Sequence, residues 1–411
     1  MRTLYLCYFG LREPLVQTQV LPYLRQLSKA GVEVTLLTFE PNRHTWSRAA
    51  ATTIGAQLGS EGIRWHSRRY HKRPRILSTL FDIVAGAWQV VRIAKRDKIE
   101  VLHARAHVPM AIALIVRRWT GSRLVFDIRG LMAEEYADAG TWKEGSVIFR
   151  IVKWIEKTGI RQADQIVVLT RRMKEWLIEQ GLAAENRIEV IPCCVDFTRF
   201  GGQSGRNVEG VNGRFEVIYA GAAAGLYLVD EMASFFLALR ELEPRAFLRV
   251  LTTTRREQVV ERLERQGLKE SDFWVGPVLP ADVPAYLRRA RVGISFRRPT
   301  FSQIAASPTK IPEYLAAGLP VVCNYGVGDI DEMVEAAEVG IVVRSFDNQA
   351  YVDGAREALE LAARPDIAAR CLEVATRYFD LERIGAAGYG RVYDRLRKDI
   401  HPTEASVTVP Y

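Results

Sequence analysis

Ser307-Pro-Thr-Lys-Ile-Pro-Glu-Tyr-Leu-Ala-Ala-Gly-Leu-Pro-Val-Val322 is the run that decides how the rest of this chain is read. It predicts a loop, a short helix and a buried strand. Ser307 can cap the helix with Pro308 at the first helical position, or Thr309 can cap it with Pro312 at the third. In the second register Pro312 removes no bond, because the first four helical amides have no partner. In either register, free amides, the positive end of the helix dipole and Lys310 converge on one point suited to phosphate. Glu313 follows one turn later on the same face, where a carboxylate can accept from a ribose diol. Gly318 ends the helix, and Leu319 to Cys323 is apolar enough for a central parallel strand. An ordinary capped helix with a Lys–Glu surface pair fits the same residues.

Outward from this run, the 411 residues alternate strand-like and helical patterns. Strands are predicted at 3–9, 32–39, 100–103, 123–127, 165–169 and 188–191, with helices at 16–30, 78–97, 109–119, 146–161 and 171–180. Residues 201–213 are Gly-rich and aperiodic and predict a linker. A second alternation places strands near 215–220, 247–252, 273–275, 292–295, 320–323 and 340–343. The chain is therefore expected to be α/β, with two doubly wound Rossmann-like domains, 1–200 and 214–378, whose strand ends face a cleft. A terminal helix at 379–398 carries Tyr389, Val392, Tyr393 and Leu396 on one face, and 399–411 reads as a flexible tail.

Composition narrows the classes. Apolar residues make up 48% of the chain, enough for real cores. The five cysteines, at 7, 193, 194, 323 and 371, show no metal spacing and predict reduced thiols in a cytoplasmic protein. The opening MRTLYLCYFG has too short an apolar run for a signal peptide and reads as a first strand. No window holds about 18 uninterrupted apolar residues, so no membrane-spanning helix is predicted. Residues 1–200 carry a balance of +12 and the remainder −3, which together give the net +9. Basic and His residues crowd the segment Arg64 to Arg75, RWHSRRYHKRPR. Two readings stand: a surface meeting anionic lipid on the inner face of a membrane, or a solvated loop before a core-facing helix. No recognition motif accompanies the run, so nucleic acid is not an expected partner.

The motif SPTKIPEYLAAGLPVV resembles the nucleotide-binding signature of retaining family-4 (group 1) glycosyltransferases with the GT-B fold. Further matches follow in order: REPLVQTQVLPYLRQLSKAGVEVTLLTFE at 12–40, VLHARAH at 101–107, LVFDIRG at 124–130, ADQIVVLT at 163–170, IEVIPCCVD at 188–196 and VIYAGAAAG at 217–225. The resemblance implies that the terminal helix packs back on the first domain. It also implies that the enzyme moves a sugar, with retention, from a nucleotide diphosphate sugar to an acceptor. That acceptor would be lipid-linked or a polysaccharide, in cell-envelope or exopolysaccharide assembly. No cofactor or metal is expected.

On this reading the donor would lie on Gly221 and Gly225 of the loop AGAAAG, on Arg297, and on Ser307, Pro308, Thr309, Lys310 and Glu313. The catalytic candidates are Asp127, Arg129, His107 and Lys310. The acceptor-side candidates are Glu13, Gln17, His103 and Glu134. The chain departs from the family pattern twice. The Arg and Lys usual after the glycine loop are replaced by LYLVDE, and Ala305 stands where the first Glu of the E-x7-E pair belongs. Two rival readings follow: an epimerase of nucleotide sugars on the same fold, and a non-catalytic nucleotide-sugar-binding scaffold. The triplet DID at 329–331 is expected to cap a helix, and no G-x-G-x-x-G or P-loop is present.

Overall fold

A computed structural model describes residues 1–41, 46–71, 75–200 and 213–400. Most of the expected linker, the tail beyond Ile400 and the 72–74 part of the basic run lie outside the described residues. Backbone contacts divide the chain into two units. The first holds Met1–Ala137, Trp142–Pro192 and the segment from Leu381 onward, and the second holds Asp138–Thr141 and Cys193–Asp380.

The first unit is built on a seven-stranded parallel sheet. Its strands are β1 (Arg2–Cys7), β2 (Glu33–Glu40), β3 (Ile63–Arg69), β4 (Val101–Arg105), β5 (Arg123–Asp127), β6 (Gln165–Val168) and β7 (Ile188–Val190), in the order β3-β2-β1-β4-β5-β6-β7. The second unit has six parallel strands: β8 (Phe215–Ala220), β9 (Ala246–Leu251), β10 (Phe273–Gly276), β11 (Val292–Ser295), β12 (Val321–Asn324) and β13 (Gly340–Val343), ordered β10-β9-β8-β11-β12-β13. Each order reverses beside its first strand, so β1/β4 and β8/β11 are the switch points at which such sheets bind ligands. Central strands such as β1 and β11 are buried on both faces, which is why their sequences are continuous apolar runs.

Two elements depart from the sequence expectation. The helix Arg48–Ser60 and the strand β3 were not anticipated, and part of the basic run forms β3 rather than a solvated loop. An edge strand has one open side, so IRWHSRR can be both polar and extended. Two of its charges are engaged locally. Arg64 lies 3.2 Å from Asp97, and Arg68 Nη1 donates to Gln89 Oε1 at 3.2 Å. The helix that follows, Arg75–Arg96, buries Ser78, Asp82, Val90 and Ile93 on one face only. By length and composition alone its span Leu77–Arg96 could cross a membrane. All five cysteines are buried thiols.

The terminal helix Ala387–Ile400 belongs to the first unit, against which it buries Tyr389, Val392, Tyr393 and Leu396. The Tyr393 hydroxyl bonds Thr3 Oγ1 at 2.9 Å and His103 Nδ1 at 3.0 Å. Tyr389 donates to Asp127 Oδ2 at 2.9 Å. Arg391 and Arg395 both reach Glu189, at 2.6 and 2.7 Å. Replacing Tyr393 by Phe keeps the volume but strips a buried hydroxyl from His103. We expect Tyr393→Phe to cost the first unit about 1–3 kcal/mol in chemical denaturation. An unchanged midpoint would mean that the hydroxyl does not hold the helix in place.

Candidate functional site

In the second unit, the chain leaves β8 through Gly221, whose φ of +140° suits only glycine. A Cβ there would also sit 3.1 Å from Lys310 Cε. The empty space is filled by Lys310, which is 4% exposed. Its Nζ lies 3.7 Å from the Tyr227 ring centroid and 5.0 Å from that of Tyr219. From the end of β11, Arg297 reaches the same phenol, its Nη1 donating to Tyr227 Oη at 3.0 Å. The guanidinium is aimed by Gln303, whose Oε1 accepts from Nε at 2.6 Å, and its backbone amide donates to Asn324 Oδ1 at 2.7 Å.

Two cations therefore share one tyrosine, Lys310 over its ring and Arg297 on its hydroxyl. Among the described residues neither has a carboxylate within ion-pair distance. Burial lowers the Lys310 ammonium below its ordinary range, against the opposing pull of Tyr227. Burial would raise the Tyr227 phenol, but Lys310 and Arg297 outweigh it and bring it down to about 8. Such an arrangement favours an added anion, which would meet preoriented, poorly solvated cations.

The helix carrying Lys310 runs Lys310–Ala316, so Pro312 occupies the third position. The hydroxyl caps do not form as expected. Thr309 sits at the cap with αR geometry and makes no side-chain cap bond, while Ser307 Oγ accepts from the Cys193 amide at 3.1 Å. Pro308 contributes its carbonyl to the Ile311 amide at 3.2 Å. Glu313 is partly exposed and pairs with Arg199 at 3.0 Å. Burial raises its carboxyl, and Arg199 and Lys310 pull the other way. Gly225 adopts a left-handed turn at φ +69° with no atom near its missing Cβ. Arg298, Arg255 and Arg256 are exposed, which leaves Arg297 as the inward arginine. Ala305 is buried at the end of the turn Phe301–Ala305, and the adjoining polar contact to Arg297 comes from Gln303. In the triplet 329–331, Asp331 Oδ2 is committed to the Gly326 amide at 2.8 Å.

In the first unit, Asp127 ends β5 with no exposed surface. Around it stand Tyr389, Tyr5 at 3.4 Å, Arg105 at 3.4 Å and Arg129 at 3.3 Å. Burial would raise its carboxyl, but Arg129, the neighbouring His103 and Arg105 hold it well below the usual carboxylate range. His103 is likewise fully buried. Its Nε2 stops 3.8 Å from Asp127, and burial lowers its pKa against the opposing pull of that carboxylate. Asp127, expected among the catalytic groups, and His103, expected on the acceptor side, are thus both interior residues of one hub. Arg129 keeps some exposure beside it.

His107, which begins the helix His107–Thr120, is 2% exposed, and its Nε2 meets Glu156 Oε2 at 2.9 Å. Lys153 links Glu156 at 2.5 Å to Glu134 at 2.6 Å, so Glu134 and His107 end one partly buried polar chain. Glu13 and Gln17 are exposed after β1, and Gln17 donates to the Leu11 carbonyl at 2.6 Å. Glu40 fixes that loop by accepting from the Leu11 amide at 2.9 Å and Trp46 Nε1 at 3.0 Å. Sequence reasoning missed Tyr227, Gln303 and Glu40. Tyr227 lies in LYLVDE, where only the lack of cations had been noted.

Comparison with known proteins bears on the fold and the family. The Glycosyltransferase Family 4 model matches residues 16–199, and the Glycosyl transferases group 1 model matches 215–360. WcaI of Escherichia coli (strain K12), a glycosyl transferase assigned by name to colanic acid biosynthesis, is 24% identical over 383 residues, covering 87% of this chain and 91% of its own. Sucrose-phosphate synthase from Thermosynechococcus elongatus superposes with a TM-score of 0.70 at 14% identity, over 97% of this chain and 100% of that one. HepE of Anabaena, solved in complex with UDP-glucose, gives 0.69 at 15% identity, over 96% and 100%. With family-4 sequence in its first half and group-1 sequence in its second, together well over half of its length, the chain belongs to the glycosyltransferases of the GT-B fold.

Proposed function

We propose that this enzyme transfers a sugar from a nucleoside diphosphate sugar to an acceptor hydroxyl, with retention at the anomeric carbon. One observation carries the reading: Lys310 and Arg297 are held together around a phenol, with no carboxylate partner among the described residues. A diphosphate supplies the charge they lack, and most strongly when the sugar–phosphate bond breaks and negative charge collects on the leaving group. Glu313 would take the ribose diol, exchanging Arg199 for two hydroxyl donors. The Gly221–Gly225 turn would let backbone approach the phosphates. HepE binds UDP-glucose, which makes uridine the first base to test. Glu13, Gln17 and Arg129, at the carboxyl ends of β1 and β5, would serve the acceptor, which WcaI's name suggests is part of an extracellular polysaccharide.

Thermal stabilisation by a panel of nucleoside diphosphates and their sugars tests the donor site. We expect one base to shift the melting temperature of the wild type, and Glu313→Ala to abolish that shift. Lys310→Met should lower kcat by about 10²–10³-fold, the scale of losing one preorganised donor to a developing anion. No shift with any nucleotide would sink the proposal. Binding without turnover to any acceptor would point to the scaffold, and an epimerised donor with no acceptor present to the epimerase. An inverted anomeric centre in the product would contradict retention alone.

The phenol gives a pH signature. Tyr227 ionises at about 8 in the folded protein, below the ordinary tyrosine value near 10. Its contribution to stability is therefore present above about 10 and lost as pH falls through 8. Once ionised, it competes with diphosphate for both cations. Nucleotide affinity should fall as pH rises through about 8, and Tyr227→Phe should flatten that profile. A wild-type affinity indifferent to pH between 7 and 9 would show that the phenol does not oppose the ligand.

A further inference from the structure

We propose that the first unit docks on an anionic lipid surface through the outer faces of two helices, Arg75–Arg96 and Val147–Gln162. On the first, every exposed position from 77 to 91 is a large apolar side chain: Leu77, Leu80, Phe81, Val84 and Trp88. Their spacing of three or four residues aligns them along one face for about 17 Å of helix. Trp88 is 67% exposed. A helix flank in water normally carries charge, so an all-apolar outer face marks an interaction surface.

The second helix repeats the arrangement. Val147, Ile151 and Trp154 are exposed at i, i+4 and i+7, Trp154 by 64%. The helix His107–Thr120 packs against both, and it ends in Trp119, also exposed. The two apolar stripes thus flank one helix on the same layer of the unit.

Charge identifies the occupant. The exposed polar rim of the two helices is cationic, with Arg92 and Lys95 on the first and Arg150, Lys157 and Arg161 on the second, while Arg96 pairs with Asp97. Neither helix exposes a carboxylate, because Asp82 and Glu156, their only acids, are buried at 0% and 1%. Apolar side chains with two tryptophans, rimmed by Arg and Lys, match the boundary between anionic headgroups and acyl chains.

The same acids fix the pose. Asp82 Oδ1 lies 2.6 Å from His71 Nδ1, and its Oδ2 accepts from Tyr8 at 2.8 Å. Crossing the bilayer would tear this buried carboxylate from its partners and place it in hydrocarbon. The long apolar helix therefore lies along the surface rather than across it. The lipid face is these two helices rather than the Arg64–Arg75 run, whose Arg64 and Arg68 are engaged locally.

Co-sedimentation of the full chain with vesicles tests this without any donor or acceptor, so it stands or falls apart from the transfer chemistry. We expect binding to phosphatidylglycerol-containing vesicles, weaker binding to pure phosphatidylcholine, and loss of binding as salt rises. Trp88→Glu and Trp154→Glu should each lower the partition coefficient about tenfold or more. Leu279→Glu, an equally exposed apolar position in the second unit, should not change it. Arg92→Glu should weaken binding to anionic vesicles alone. Circular dichroism and melting temperature confirm that each variant is folded. Absence of vesicle binding, or equal loss in the Leu279 variant, overturns the proposal. So does self-association of the wild type that both Trp variants abolish while vesicles go unbound, since the face would then join two copies of the chain.

Discussion

Burying the Lys310 ammonium with no carboxylate in ion-pair reach among the described residues is the constraint around which the second unit is organised. An uncompensated interior charge costs several kcal/mol, so its surroundings must be built for it. Gly221 withholds the Cβ that would strike the lysine, and the phenol of Tyr227 faces the amine and Arg297 together. Gln303 and Asn324 fix the arginine from the following turn and from β12. Tyr314 ties the helix that carries Lys310 to β8 by accepting from the Ala220 amide at 2.8 Å. Gly293 in turn leaves room on β11 for the Tyr314 ring. Gly221, Gly293, Tyr227 and Tyr314 thus serve one purpose, which is to keep two cations close and underneutralised.

The first unit solves the opposite problem. Asp127 is buried among more partners than it needs, with Arg105, Arg129, Tyr5 and Tyr389 converging on its two oxygens. Those partners come from β1, β4, the end of β5 and the terminal helix, so the carboxylate is where the last segment of the chain is sewn to the first strands. A saturated anion of this kind stabilises and orients, and has little left to offer a substrate. Any chemistry there falls to groups at its margin, of which Arg129 retains some exposure.

Much of this was legible in the sequence, for physical reasons. Parallel strands buried on both faces leave uninterrupted apolar runs, so all six strands of the second unit could be read, and the glycine turn after β8 could be located. The polar edge strand β3 leaves no such trace, which is why it was hidden within a basic run. Lys310 and Arg297 were visible as cations at the ends of elements. Tyr227 was not, because a tyrosine serving as neutral counterpart to two cations looks like any core aromatic. Ser307 and Thr309 look like caps, yet Ser307 serves Cys193 and Thr309 holds a conformation that cannot cap. His103 and Asp127 could be placed at strand ends, but burial is a tertiary property, and only the packing of Tyr389 and Tyr393 makes them interior.

The most direct measurement is a crystal structure with a nucleoside diphosphate bound. The account requires β-phosphate oxygens within about 3 Å of Lys310 Nζ and of the Arg297 guanidinium, with Tyr227 displaced from at least one of them. A diphosphate lying elsewhere, with Lys310 and Arg297 still closed on the phenol, would contradict it.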